Sequence, residues 1–220
     1  MKLTDKRKLV LIASAVVLQL FVTISLLCYS ARVKRHALKT GSVISLSCRA
    51  YDPFSPFKGR YVRLNFDQSS PQAESLDGES ADCLDGRRGK KVYCRMSEGG
   101  DGLWTVAGIR CTLPGDRQKD GTKDDGVYIE AQCRGYSYDF SDAGKKVRGV
   151  QLDYGFAEYY MQENYARYVD RIRWDDFNAL EPVLSLYVGK NGRCVQKGLT
   201  VLDSGERIPI EEYCRRRLKK

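Results

Sequence analysis

The chain offers few side chains for covalent or metal-dependent catalysis. Its single histidine, His36, lies close behind an N-terminal hydrophobic segment rather than in the main body of the sequence. Serine–histidine–aspartate and cysteine–histidine catalysis both need an imidazole in the site, and the common zinc hydrolases need histidine ligands. The sequence also lacks a CxxC pair, a P-loop and a GxGxxG turn that opens a helix. We therefore predict no metal site, no cofactor and no catalytic residue that a motif identifies.

Three carboxylates, Asp153, Glu158 and Glu163, fall close together in the sequence. A pair of carboxyl groups can carry out acid–base hydrolysis, as it does in glycosidases. The separation of Glu158 and Glu163 is poor for one helical face, where neighbours lie three or four residues apart. We prefer to interpret them as a solvated strand end and helix start. A serine–lysine pair stays open as a second hydrolytic route, although no motif selects its members.

Tyrosine is concentrated in the same segment as these carboxylates. An aromatic ring with a polar tip suits a surface that binds a peptide, a glycan or a protein partner. The same ring also suits packing over a sheet, and packing is the preferred interpretation. The alternative is a binding surface, for which the candidate residues are Arg63, Tyr159, Tyr160 and Tyr165.

The segment from Leu9 to Tyr29 contains no charged residue. A stretch of this length spans a hydrocarbon core of about 30 Å as a helix. A cleaved signal peptide is the competing interpretation, but its apolar region is usually only about 7–15 residues long. We therefore predict an uncleaved transmembrane signal-anchor helix over residues 9–29, which ties the chain to a lipid bilayer.

Basic residues flank this segment on both sides, so the positive-inside rule barely decides its orientation. A short N-terminal tail before a long C-terminal domain is typical of a signal-anchor, and long domains cross the membrane largely regardless of charge. We expect the N-terminus in the cytoplasm and the main domain outside. The predicted order is a cytoplasmic tail, the transmembrane anchor, a juxtamembrane linker, an extracytoplasmic β-rich domain and a basic tail: residues 1–8, 9–29, 30–41, 42–214 and 215–220.

The formal net charge of +9 is concentrated around the hydrophobic segment and at the C-terminus. Such charge can attract nucleic acid, a membrane surface or an acidic polymer. Because its location is typical of membrane-flanking residues and a solvated tail, we expect no nucleic-acid partner. The run from Arg215 to Lys220 stays open as a contact for anionic lipid, at about 1 kcal/mol for each basic residue near the surface.

Alternating apolar and polar residues predict that most of the remaining chain forms β-strands. Ile44, Leu46 and Cys48 begin the first clear alternation, and similar runs follow along the chain. The segment from Met161 to Ile172 instead repeats its apolar residues at helical spacing. The pattern predicts an α+β fold, mostly antiparallel β in a sheet or barrel-like domain, with one amphipathic helix, preceded by the N-terminal transmembrane helix.

The cysteines beyond the hydrophobic segment are odd in number. Their use is compatible with disulfides in an oxidising compartment, and an odd count leaves at least one free thiol or an intermolecular bond. Cys48, Cys94, Cys111 and Cys133 also lie on the apolar side of strand patterns, as small buried side chains do. One or two disulfides are expected, with their pairing open.

Three blocks of the chain resemble the GDYXXLXY family. In the first, residues 59–66 read GRYVRLNF, so that Arg60 replaces the acidic residue of the motif and Phe66 replaces its usual tyrosine. The second, residues 154–160, reads YGFAEYY, and the third, residues 197–199, is similar to the closing strand of the family. The positions that match are Gly59, Tyr61, Leu64, Phe66, Tyr154, Gly155, Glu158, Tyr160 and Gly198.

This resemblance implies a bacterial protein held in the inner membrane, with its domain facing the periplasm or the exterior. It implies no established activity. Members of the family are often encoded beside multi-pass membrane proteins, which indicates an integral membrane protein as the partner. The leading hypothesis is therefore a non-enzymatic binding or assembly partner. The alternative is an envelope hydrolase that acts on peptide or cell-wall material through carboxylates or a serine–lysine pair.

Overall fold

A computed structural model describes residues 5–50, 54–55, 59–72, 88–114, 126–141, 144–169 and 171–218 of the chain. A long N-terminal helix precedes eleven strands, three further helices and one short 3-10 helix in this part of the chain. In chain order these elements are α1 (Asp5–Thr40), β1 (Ser42–Ala50), β2 (Phe54–Ser55), β3 (Gly59–Phe66), the 3-10 helix (Asp67–Ser69), β4 (Lys91–Glu98), β5 (Trp104–Arg110), β6 (Val127–Ser141), β7 (Gly144–Asp153), β8 (Glu158–Tyr160), α2 (Glu163–Val169), α3 (Trp174–Asn178), β9 (Val183–Val188), β10 (Cys194–Asp203), β11 (Glu206–Pro209) and α4 (Ile210–Leu218).

The strands form two sheets, and every pairing among the described strands is antiparallel. The larger sheet has the order β11-β10-β9-β1-β3-β2, and β8 adds to β3. The smaller sheet has the order β5-β4-β6-β7. The predicted α+β class with mostly antiparallel strands is confirmed.

Helix α1 contains a candidate membrane span, Val10–Arg32, whose side chains are exposed. The helix continues beyond this span to Thr40. Residues 30–41 were expected to form a linker, but Ala31, Arg32 and Leu38 are good helix formers, and neither glycine nor proline interrupts the chain before Gly41. The candidate span and most of the predicted linker are therefore one continuous helix.

The core lies between the two sheets and follows the alternation of the sequence. In β1, Ile44, Leu46 and Cys48 are buried, and the residues between them are more exposed. The same pattern recurs in β4, where Val92 and Cys94 are buried. Side chains of a strand point alternately to opposite faces, so one face of each strand reaches the core.

The described helices that follow α1 are short. The helix predicted between Met161 and Ile172 is α2, which is confined to Glu163–Val169 and packs against β3 and α4. Helix α4 includes Arg215, Arg216 and Arg217, which were expected in a separate basic tail. Arg217 donates to Asp203 over 3.1 Å, and Arg216 donates to Glu212 over 2.6 Å. The Arg217–Asp203 pair joins α4 to β10, whereas the Arg216–Glu212 pair lies within α4.

The cysteines divide into a disulfide-bonded residue and a group of free thiols. Cys111 is disulfide-bonded, although its strand pattern indicated a buried thiol. Cys83 lies outside the described residues. Cys48, Cys94, Cys133 and Cys214 are buried free thiols, whereas Cys194 is half-buried and Cys28 is exposed on α1. Burial raises the pKa of the Cys94 thiol to about 12, so this thiol stays protonated near neutral pH and packs as a small apolar group.

A hydrogen-bonded link joins the two sheets around Gln68, in the 3-10 helix that follows β3. The Gln68 Nε2 atom donates to the Trp104 carbonyl of β5 over 3.0 Å. The Tyr154 hydroxyl, just after β7, donates to the Gln68 carbonyl over 2.9 Å. Only 6% of Gln68 is exposed, although it lies in a polar stretch of the sequence. Buried polar groups of this kind are costly unless they are paired, so the link specifies how the sheets meet.

We predict that Tyr154→Phe lowers the free energy of unfolding by about 1–2 kcal/mol, because it leaves the buried Gln68 carbonyl without this donor. The measurement is urea unfolding of the full-length chain in detergent micelles, followed by tryptophan fluorescence. Tyr160→Phe removes an exposed hydroxyl of the same residue type, and we expect it to change the value by less than about 0.5 kcal/mol. Equal stability of wild type and Tyr154→Phe would contradict the role of the link.

Candidate functional site

The first family-like block forms strand β3. Gly59 begins the strand opposite Ser55 of β2, and Tyr61, Leu64 and Phe66 are buried. Leu64 and Phe66 share the core face of the strand because side chains two residues apart point the same way. The buried positions of this block thus hold β3 against the core.

The second block meets the first in space, although nearly ninety residues separate them in the sequence. Strand β8 pairs with β3, with Tyr160 opposite Tyr61, and the centroids of these two rings lie 5.7 Å apart. The Phe66 ring meets the Tyr154 and Phe156 rings edge-on, at centroid distances of 5.9 and 5.4 Å. Edge-to-face rings at such distances attract each other beyond the burial of their area.

Strand β10, which carries the third block, also contacts the second block. Its register shifts between Gln196 and Gly198. The Gln196 Nε2 atom, just before the third block, donates to the Phe156 carbonyl over 2.8 Å and to the Glu158 carbonyl over 2.9 Å. Gly155 lies in the exposed turn of the second block. The strands that carry the three blocks therefore form one structural unit.

A cleft of about 600 Å³ opens beside this unit, where the two sheets meet. We call it the junction cleft. Strand β3, the 3-10 helix, the end of β7 and the turn after β7 form its walls. Its lining residues are Arg63, Leu64, Asn65, Phe66, Ser69, Ser70, Arg134, Gln151, Leu152, Asp153, Tyr154 and Ala157.

Two arginines line the junction cleft, and they differ in whether their charge is paired. The Arg134 Nε atom donates to Asp153 over 2.9 Å, so its charge is matched within the cleft. Arg63 lies exposed on β3, and none of the ion pairs in the described part of the chain includes it. A guanidinium in this state can bind a carboxylate or phosphate, because it presents several donors in one plane.

Comparison with models of protein families identifies the family of the chain. The model of the GDYXXLXY protein family matches residues 23–199, which is more than half of the chain. The chain belongs to the GDYXXLXY protein family. No curated protein and no solved structure matches it. In this GDYXXLXY protein the motif strand is β3, and the replaced motif position, Arg60, lies opposite Phe54 of β2.

The four residues of the candidate binding surface do not share one exposed face. Arg63 is exposed, and Tyr160 is 54% exposed on the same side of the β3–β8 pair. Tyr159 points the opposite way, with 8% of its area exposed, and its hydroxyl donates to Glu211 over 2.7 Å. Tyr165 is half-buried in α2, with Arg215 of α4 nearby. Arg63 and Tyr160 are therefore the pair that solvent can reach.

The three carboxylates considered for hydrolysis are held by neighbouring donors. Asp153 pairs with Arg134, and Glu163 pairs with Arg167 one turn along α2. Glu158 accepts a hydrogen bond of 2.7 Å from the Tyr160 hydroxyl. A serine–lysine pair needs a lysine shielded from water, and every lysine whose side chain is described is exposed. No observation in the described part of this GDYXXLXY protein favours the hydrolase hypothesis.

Sequence reasoning did not find Gln68, Gln196 or Arg134, all of which shape the site. Each is a polar residue whose role depends on groups far away in the chain: the Trp104 carbonyl for Gln68, the second block for Gln196 and Asp153 for Arg134. Local patterns carry no signal for such contacts. Gln68 and Gln196 both contact the second family block, and Gln196 directly precedes the third.

We predict that the stability of the full-length chain falls as the pH rises above about 10, and that Tyr159→Phe reduces this fall. Burial, followed by the hydrogen bond to Glu211, raises the pKa of the Tyr159 hydroxyl above its ordinary value. The raised pKa favours the folded state while the tyrosine is protonated, and this gain is lost as the unfolded chain ionises. Urea midpoints at pH values from about 8 to 11 measure the effect. An identical decline in both proteins would mean that Tyr159 is not held in this way.

Proposed function

We propose that this protein is a single-pass membrane protein whose domain binds an integral membrane protein through the junction cleft. The polar cleft beside the three family blocks, with Arg63 at its rim, is the observation that carries this proposal. The candidate span Val10–Arg32 would hold the domain within reach of such a partner. Anchoring both proteins in one bilayer raises their effective concentration, so a modest contact suffices.

The walls of the cleft suit an extended segment of the partner. Strand β7 is at the edge of the smaller sheet, and part of this edge is already paired, because Gln72 forms an isolated bridge with Gly149 and the Val150 amide donates to the Pro71 carbonyl over 3.2 Å. The cleft lies next to this pairing, at Gln151 and Leu152, so a bound segment would be held by the side chains of the walls rather than by a free strand edge. The side chains around the cleft then select the sequence of the bound segment.

Arg63 favours a partner segment with an acidic side chain. Its charge lacks an ion-pair partner in the described residues, whereas Arg134 is already matched by Asp153. Asn65, Ser69 and Ser70 also line the cleft and add neutral hydrogen-bonding groups. Tyr160, on the same side of the sheet as Arg63, adds an exposed ring with a polar tip.

The proposed location is the bacterial inner membrane, with the N-terminus in the cytoplasm and the domain in the periplasm or the exterior. The disulfide at Cys111 supports this orientation, because disulfides persist in oxidising compartments and are rare in the cytosol. The net positive charge of the short N-terminal tail is also compatible with it.

We predict that affinity-tagged, full-length protein recovers an integral membrane protein from gently solubilised membranes, and that Arg63→Glu loses it. The substitution replaces attraction to an acidic group by repulsion and leaves an exposed position exposed. Arg95→Glu is the matched control, since Arg95 is an exposed strand arginine on β4 outside the cleft. Recovered proteins are identified by mass spectrometry. Equal recovery by wild type and Arg63→Glu would contradict the assignment to the cleft.

We also predict that protease added to intact spheroplasts removes the domain. An N-terminally tagged chain should then shrink to a fragment that keeps its cytoplasmic tag and α1, which an immunoblot detects by size. A cytoplasmic marker protein must stay intact in the same sample. A full-length band that disappears only after lysis would place the domain in the cytoplasm and overturn the proposed orientation.

A further inference from the structure

Gln19 carries the only side-chain amide in the candidate span Val10–Arg32. It lies two residues from the midpoint of this 23-residue span, which is about 3 Å along a helix axis. The nearer interface is then roughly 12 Å away, beyond the reach of a glutamine side chain. Gln19 is exposed, and its amide has no hydrogen-bond partner among the described residues. An unpaired amide at this depth is costly, so a partner from another helix would stabilise it.

The helix face around Gln19 allows such a partner to come close. At about 100° per residue, Ile12, Ala15, Thr23 and Leu26 lie within roughly 40° of Gln19. Ala15 and Thr23 are small and flank Gln19 by one turn on each side. The Thr23 hydroxyl donates to the Gln19 carbonyl of its own helix over 2.8 Å, so it does not need a second helix as acceptor. Small residues beside a polar one are typical of packed transmembrane helices.

We propose that Gln19 pairs α1 with α1 of a second copy of this chain, in a parallel transmembrane dimer. All copies insert in the same direction, so their Gln19 residues lie at equal depth. An amide is both donor and acceptor, and two glutamines related by a two-fold axis can each donate to the other. A second copy is thus the one partner that carries a matching group at this depth by necessity.

Other polar groups of the helix leave this face free for pairing. Ser14 lies roughly 140° from Gln19 and donates to the Leu11 carbonyl of its own helix over 2.9 Å. The Tyr29 hydroxyl, roughly 80° from Gln19, accepts a hydrogen bond of 2.6 Å from Arg193, which also lies over the ring. The β10 side of the domain therefore contacts α1 beside the Gln19 face and does not cover it.

Oxidative cross-linking in native membranes tests this arrangement. Cys28 is first replaced by alanine in the full-length chain, and single cysteines are then introduced as Leu26→Cys or Ile24→Cys. Leu26 lies roughly 20° from Gln19, whereas Ile24 lies roughly 140° away at almost the same depth. Leu26→Cys should give a disulfide-linked dimer of the chain, and Ile24→Cys should give little. Equal cross-linking at both positions, or a cross-link from Leu26→Cys to another protein alone, would overturn the proposal.

Substitution of Gln19 in the Leu26→Cys background tests the amide itself. Gln19→Leu should weaken association by roughly three- to thirty-fold, and Gln19→Asn should retain it because the amide remains. Ser14→Leu is the matched control, because it also replaces a polar residue by leucine but on the far side of the helix. Co-purification of two differently tagged copies gives a second readout. Dimer yields of Gln19→Leu equal to those of wild type would contradict the role of Gln19, whatever the domain binds.

Discussion

Hydrogen bonds join β3 to β1 along one end of the strand and to β8 along the other, and the rest of the domain depends on these two contacts. The pairing with β8 brings the second family block beside the first. It thereby allows the Phe66, Tyr154 and Phe156 rings to pack together. Tyr154 then reaches the Gln68 carbonyl, and Gln68 reaches β5. The segment formed by β3 and the 3-10 helix thus contacts both edges of the smaller sheet, at β5 and at the end of β7. The junction cleft lies where the two sheets meet.

The strands could be predicted from the sequence, because burial of one strand face produces alternating apolar and polar residues. The residues of β1 and β4 follow this rule closely, and the motif strand β3 follows it from Val62 to Phe66. The division into two sheets could not be predicted, because alternating residues do not show which strands pair with each other. Gln68 shows why the sequence does not predict such contacts. The residues that follow it are polar, yet Gln68 is buried and hydrogen-bonded to Tyr154 of the second block and to Trp104 of the other sheet. The family resemblance added long-range information, since it joined blocks that prove to be neighbours.

The tyrosine-rich segment shows how one composition serves two purposes. Adjacent residues of β8 point to opposite sides, so Tyr159 is buried against Glu211 while Tyr160 remains exposed. Tyr154 and Tyr159 therefore pack in the core, as the preferred interpretation has it, whereas Tyr160 lies on an exposed surface, as the alternative has it. Arg63, on the same side as Tyr160, links that surface to the cleft. A burial pattern predicts this split only once the register of the strand is known.

Site-specific photo-cross-linking tests most directly whether the junction cleft is the binding site. A benzoyl-phenylalanine is placed at Gln151, an exposed residue of the cleft wall, or at Arg95, an exposed residue of β4 outside the cleft. The full-length chain is irradiated in intact cells, and its adducts are identified by mass spectrometry. We expect an adduct with an integral membrane protein from position 151 and none from position 95. Adducts with such a protein from position 95, and none from position 151, would show that the partner binds elsewhere on the domain.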